Sequence, residues 1–120
     1  MSRNTNFTNQ QLVELIKDLK KSAIEQKVKI WKAIALELER PRRIRRVVNL
    51  TRINKVCKDN ETIIVPGKVL SSGNLDRKLT IAAFSFSEQA IEKINHKGKA
   101  ISIQELLKSN PKGSRVRIIG

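Results

Sequence analysis

Hydrolytic or proton-transfer chemistry needs a positioned base, a nucleophile or a metal, and side chains that could supply them are few here. The one histidine, His96, lies between Asn95 and Lys97, a setting that reads as a solvated turn. The one cysteine, Cys57, stands at helical spacing from Ile53 and reads as a small buried hydrophobe. A lone cysteine without a Cys-x-x-Cys or paired histidines offers no zinc ligand set. Ser85 and Ser87 precede a helical pattern and read as caps, since neither sits in a G-x-S-x-G turn. The stretch Gly67-Lys68-Val69-Leu70-Ser71-Ser72-Gly73 superficially resembles a phosphate loop, yet Asn74 follows where Lys and Ser/Thr are required. Its glycines and serines can still let backbone approach phosphates closely, which is binding and not catalysis. The chain therefore reads as a non-enzyme, with no cofactor and no small-molecule substrate.

A different chemistry is concentrated in Arg40-Pro41-Arg42-Arg43-Ile44-Arg45-Arg46, five arginines in seven residues with Ile44 as the apolar anchor. A guanidinium presents a planar fork of donors that matches phosphate oxygens bidentately, so such a segment can track a nucleic-acid backbone. The bland reading is a solvated linker or an import-like signal. Against it stands the balance of the whole chain, 25 Lys and Arg to 11 Asp and Glu, a formal charge of +14. So much charge on a small domain repels itself unless a polyanion neutralises it. Residues 1–58 hold 15 basic and five acidic side chains, against 10 and six in the remainder, so the N-terminal half should carry the main electrostatic footprint. A membrane is not the expected partner, because no apolar run approaches the roughly twenty residues that span a bilayer. A single cysteine and an N-terminus without a secretory pattern place the chain in the reducing cytoplasm.

These residues need elements to hold them. At 120 residues the chain fits one domain, with an aliphatic core because aromatics are only 3%. Thr8 and Gln11 have capping-box spacing, and Leu12, Leu15, Ile16, Leu19 and Ala23 recur on one face, which predicts a helix over about 9–22. Val28, Trp31, Ile34, Ala35 and Leu38 predict a second helix, ended by Pro41. Val47 and Val48 look extended; Asn49 can cap a short helix lined by Leu50, Ile53, Val56 and Cys57. Beyond Asp59 short units alternate: a strand over 62–65 stopped by Pro66-Gly67, a turn-rich loop, and a strand over 79–84. Ser85 and Glu88 mark a capping box for a helix over 87–95, with Gly98 in the place of a left-handed cap. Residues 100–103 look extended, Ser102 and Glu105 cap a helix ending near Ser109, and Asn110-Pro111-Lys112-Gly113 turns the chain into an extended end over 116–119. The expected fold is α/β, a small sheet with short alternating helices preceded by two N-terminal helices. Its parts are helical residues 1–39, an arginine-rich connector 40–46 and an α/β core 47–120 of a single rRNA-binding domain.

RNA is favoured over DNA because no zinc finger, basic zipper or clear helix-turn-helix signature is present. Readout by stacking is not expected, since Trp31 and Phe84 fall on core faces and only Phe7 and Phe86 are placed to be free. What remains is recognition of a folded RNA shape through phosphates and sugars.

Several stretches settle the class further. Residues 48–54 (Val-Asn-Leu-Thr-Arg-Ile-Asn), the run from Val65 to Ala83, the run from Phe84 to Ala90, and the ending from Gly113 to Gly120 resemble the ribosomal protein L-eighteen-e family. This is the archaeal and eukaryotic large-subunit family whose fold is similar to the C-terminal part of bacterial ribosomal protein L-fifteen. The short length and the lack of a basic C-terminal extension look archaeal. The resemblance implies a non-catalytic constituent of the large ribosomal subunit, bound to large-subunit rRNA beside other ribosomal proteins. It also marks the loop from Lys68 to Lys78 as a hallmark, serving either rRNA contact or turn geometry. A free-standing nucleoid or RNA-remodelling protein is the alternative.

The candidate RNA-binding residues follow from charge and resemblance together. Lys20 and Lys21 lie on the polar face of the first helix, and Lys27, Lys29 and Lys32 at and after its end. Arg40, Arg42, Arg43, Arg45 and Arg46 form the connector, followed by Arg52 and Lys55. The loop supplies Lys68, Ser71, Ser72, Gly73, Asn74, Arg77 and Lys78. Lys112, Arg115 and Arg117 complete the set near the C-terminus.

Overall fold

The aliphatic stripe from Leu12 to Ala23 winds into α1, Asn9–Gln26, in a computed structural model that describes residues 9–41 and 46–119. The expected capping box at Thr8, the aromatic Phe7 and the connector residues 42–45 lie outside the described residues. α1 runs past the expected end at Ser22 because nothing between Ala23 and Gln26 breaks a helix. It stops where Lys27 turns left-handed (φ 57°) and the Val28 N–H donates back to the Ala23 carbonyl at 3.2 Å. Val28 therefore belongs to the turn, and α2 spans Ile30–Leu38.

Five strands then form one parallel sheet. They are β1 (Arg46–Asn49), β2 (Thr62–Leu70), β3 (Thr80–Phe86), β4 (Lys99–Ser102) and β5 (Val116–Ile118), interleaved with α3 (Leu50–Val56), α4 (Glu88–Asn95) and α5 (Ile103–Ser109). The lateral order is β1-β2-β3-β4, and β5 pairs β2. β5 lies along the first half of β2, with Thr62 opposite Val116. β1 lies along the second half, with Arg46 opposite Gly67.

That shared edge explains why Pro66-Gly67 does not stop the strand as expected. β2 continues through both residues to Leu70, and its register with β3 shifts between Val65 and Lys68. A proline has no N–H to give a ladder, and it is tolerated at such an irregularity. Gly67 is required there: a Cβ would collide with the Arg46 backbone.

Both faces of the sheet are covered, so its central strands are continuously apolar instead of alternating. On one face Ile63, Val65, Val69, Ile81 and Ala83 pack with Leu50 and Ile53 of α3 and Ala90 and Ile94 of α4. On the other, Ile64 and Ala82 pack with Leu15, Leu19, Trp31, Ile34 and Leu38 of the α1–α2 pair and with Ile103 and Leu106 of α5. Neighbouring residues such as Ile63 and Ile64 serve opposite cores, as strand pleating dictates.

Three local expectations change. The cap of α4 is Ser87, whose Oγ accepts from the Ala90 N–H at 3.2 Å; Ser85 is still within β3. Gly98 is not in a left-handed conformation, and a glycine is needed because a Cβ would strike the Leu79 backbone of the adjoining chain. Asn49 precedes α3 in extended geometry but its side chain makes no cap hydrogen bond. The Ser102 cap holds, its Oγ accepting from the Glu105 N–H at 3.0 Å.

Candidate nucleic-acid interface

Among the described residues no polar or charged side chain is buried, so all their charge is at the surface. None of these residues forms a group of three or more His, Cys, Asp or Glu able to hold a metal ion. Burial pushes the Cys57 thiol above its ordinary value, with the Glu61 carboxylate adding to the effect, which makes a reactive thiolate unfavourable. His96 is exposed in the turn after α4. Among the described residues no helix is long and apolar enough to cross a membrane.

The cationic residues divide by what they touch. At the C-terminal end of α2, Glu37 gathers both described flanks of the arginine connector. Arg46 donates from Nε to Oε1 at 3.1 Å and from Nη2 to Oε2 at 3.4 Å, while Arg40 Nη1 donates to Oε1 at 3.3 Å. The Arg46 hydrogen bond does most to hold the Glu37 carboxyl below the usual carboxylate range, against the opposing effect of partial burial. Lys20 reaches Glu39 at 2.7 Å, tying α1 to the end of α2, and Lys21 stands 4.0 Å from Glu25 on its own helix.

The turns at the start of α2 and after α5 meet around Trp31. This indole is fully buried, and its Nε1 donates to the Pro111 carbonyl at 2.6 Å. Gly113, left-handed at φ 64°, faces Ile30 closely enough that a Cβ there would crowd it. Exposed Lys29 and Lys112 each adjoin these packed residues in sequence, and Lys27, Lys32 and Arg115 are exposed as well.

The loop from Ser71 to Leu79 crosses the sheet face between α3 and α4, with Leu75 buried in the core as its anchor. From α3, the Thr51 N–H and Oγ1 both donate to the Ser72 carbonyl, at 3.1 and 3.2 Å, and Asn54 Oδ1 accepts from the Asp76 N–H at 3.1 Å. From α4, Lys93 Nζ donates to the carbonyls of Ser71 and Gly73, each at 2.9 Å. Gly73 is left-handed at φ 93° and abuts Thr51, where a Cβ would collide. The loop is thus fixed by its own protein contacts. Lys68, Asn74, Lys78, Arg52 and Lys55 are exposed around it.

Two candidate arginines spend their guanidinium groups internally. Arg77 Nε donates to the Asn54 carbonyl at 2.9 Å. Arg117 Nη1 donates to the Val56 carbonyl at 3.1 Å and to Glu61 Oε2 at 3.3 Å. The Lys58 N–H, 2.6 Å from Glu61 Oε1, contributes most to holding that carboxyl low, with Arg117 assisting. Phe86, expected to be free, is buried in the core, so it presents no face for stacking.

Comparison with known proteins decides the class. A family model that spans the ribosomal proteins 50S-L15 and 50S-L18e and their 60S counterpart matches residues 10–102. The chain belongs to this family. Among curated relatives, the large ribosomal subunit protein eL18 of Methanoregula boonei is 51% identical over 120 residues, 99% of each chain. The protein of the same name from Methanospirillum hungatei is 48% identical over 120 residues, again 99% of each chain. That from Haloarcula marismortui is 45% identical over 112 residues, 93% of this chain and 97% of the relative. The family consists of ribosomal proteins and not enzymes, in agreement with the chemistry read from the residues.

Sequence reasoning missed the residues that position this surface, namely Glu37, Thr51, Asn54, Glu61 and Lys93. Thr51 and Asn54 lay within the stretch that carried the family resemblance. Lys93 looked like one more solvated lysine of an amphipathic helix, and only the folded chain brings it 20 residues back to Gly73.

Proposed function

We propose that this chain is a structural constituent of the large ribosomal subunit that binds folded rRNA through exposed basic side chains and performs no reaction. The observation that carries the reading is its alignment with archaeal large-subunit proteins over nearly the full length of both partners. Two surfaces supply the contacts. One comprises the arginine connector with the lysines of α1, α2 and the turn at Lys112. The other is the clamped loop with Lys68, Arg52 and Lys55. Residues 1–120 act as a single rRNA-binding domain on the cytoplasmic ribosome, with other ribosomal proteins as neighbours. A loop already ordered by its own protein contacts loses little further entropy on meeting RNA, which supports a contact role for it.

Co-sedimentation of the tagged chain with large subunits through a high-salt wash tests the reading. Retention on the subunit is expected. A free-standing nucleic-acid-binding protein would instead be stripped as counterions compete, and would reappear on bulk nucleic acid in low salt.

A further inference from the structure

Where β1, β2 and β3 end, the chain leaves an open crevice of about 600 Å³ beside the start of α4. We infer that this crevice receives the base of one unpaired rRNA nucleotide, an inference that rests on the rRNA-binding reading above. Leu70 and Phe86 supply its apolar lining, and Asn49, Lys68, Glu88 and Gln89 its polar groups. The volume falls in the range of about 300–1,000 Å³ found for small-molecule sites.

The lining selects a heterocycle over a bare anion. Lys68 alone would suit a phosphate, but the Glu88 carboxylate shares the crevice and repels one. A nucleobase reconciles the two: its exocyclic amino group donates to Glu88, while the phosphate of the same nucleotide meets Lys68. Two amides are placed to read the remaining edge. Asn49 does not cap α3. Gln89 uses Oε1 to accept from Ser71 Oγ at 3.2 Å, a bond that leaves its Nε2 uninvolved. Because the aromatic ring of Phe86 is buried, the base is held by its edges and by apolar contact, not by stacking between exposed rings. The wall at Ser71 and Ser72 is preformed, fixed by Lys93 and Thr51. It is also continuous with the proposed RNA-contacting loop.

Nuclear magnetic resonance of the isotope-labelled full chain tests this with 5′-GMP, 5′-AMP and 5′-CMP as probes, and ribose 5-phosphate and inorganic phosphate as controls. The mononucleotides should shift the side-chain amides of Asn49 and Gln89 and the backbone amides of Ser87 to Gln89, while the controls leave them in place. No shift with any mononucleotide, or equal shifts with inorganic phosphate, overturns the base pocket. In assembled subunits carrying Asn49→Ala and Gln89→Ala together, one unpaired rRNA base should become several-fold more reactive to dimethyl sulfate. An unchanged reactivity pattern in subunits that have incorporated the variant also overturns it. Incorporation itself, read by co-sedimentation, tests the ribosomal reading separately.

Discussion

The guanidinium of Arg46, the first residue of β1, grips the carboxylate of Glu37 near the end of α2 through two hydrogen bonds of 3.1 and 3.4 Å. Helix and sheet are thereby tied across the arginine connector, and one of its five arginines is committed to the fold before any RNA arrives. Replacing Glu37 by Gln should cost about 1 kcal/mol, since the pair is part-exposed and solvent screens it. Urea denaturation of the variant checks this.

The same pair predicts a pH dependence. Glu37 and Glu61 both have carboxyls held below their ordinary range in the folded chain. Each therefore adds stability that is fully present above the unfolded-state value and is lost as pH falls through the lowered folded value. Stability should be flat at neutral pH and decline only in the acid range, and the cost of Glu37→Gln should disappear there. A cost that persists with both carboxyls protonated would refute this account.

Trp31→Ala should lower stability by about 3–5 kcal/mol, because the indole is fully buried in the helical layer. Trp31→Phe should cost about 1–3 kcal/mol, leaving the Pro111 carbonyl without its indole donor. Equal costs for the two variants, measured by denaturation, would show that the hydrogen bond rather than the packing dominates.

Gly73→Ala should cost about 1–3 kcal/mol, from the left-handed backbone and the collision with Thr51. Lys93→Gln should be milder for global stability but should speed amide exchange over residues 71–76, whose carbonyls it restrains. Unchanged exchange in that loop would mean that Lys93 does not hold it.

Much of the fold was legible in the residues. Helical periodicity located α1 and α2, and Ser102 with Glu105 marked the start of α5. What local pattern could not give was context. Pro66-Gly67 reads as a strand stop, yet β2 passes through it because the neighbouring strand changes from β5 to β1 beside it. Ser85 and Ser87 both satisfy a cap motif, and only the length of β3 decides between them. For the candidate interface, residue type revealed charge but not allegiance. Arg46, Arg77 and Arg117 resemble their exposed neighbours in sequence, yet the fold assigns them to Glu37, the Asn54 carbonyl and Glu61.

Arg42, Arg43 and Arg45 are proposed as phosphate ligands of the connector. Replacing all three by Gln should weaken rRNA binding with little change in sequence preference. It should also lower the slope of log affinity against log salt by about 2–3, at roughly 0.7–0.9 per lost contact. Folding stability should be unchanged. An unaltered slope in a folded variant would remove the connector as the principal anchor.

The central claim is that this chain recognises the folded rRNA of the large subunit and is more than a general polycation. Binding of the full chain to large-subunit rRNA and to small-subunit rRNA, measured side by side across a salt series, tests it most directly. The account predicts that binding to small-subunit rRNA collapses as salt rises while binding to large-subunit rRNA persists, because specific contacts add to the screened phosphate attraction. Two superimposable curves, lost together at the same salt, would contradict it.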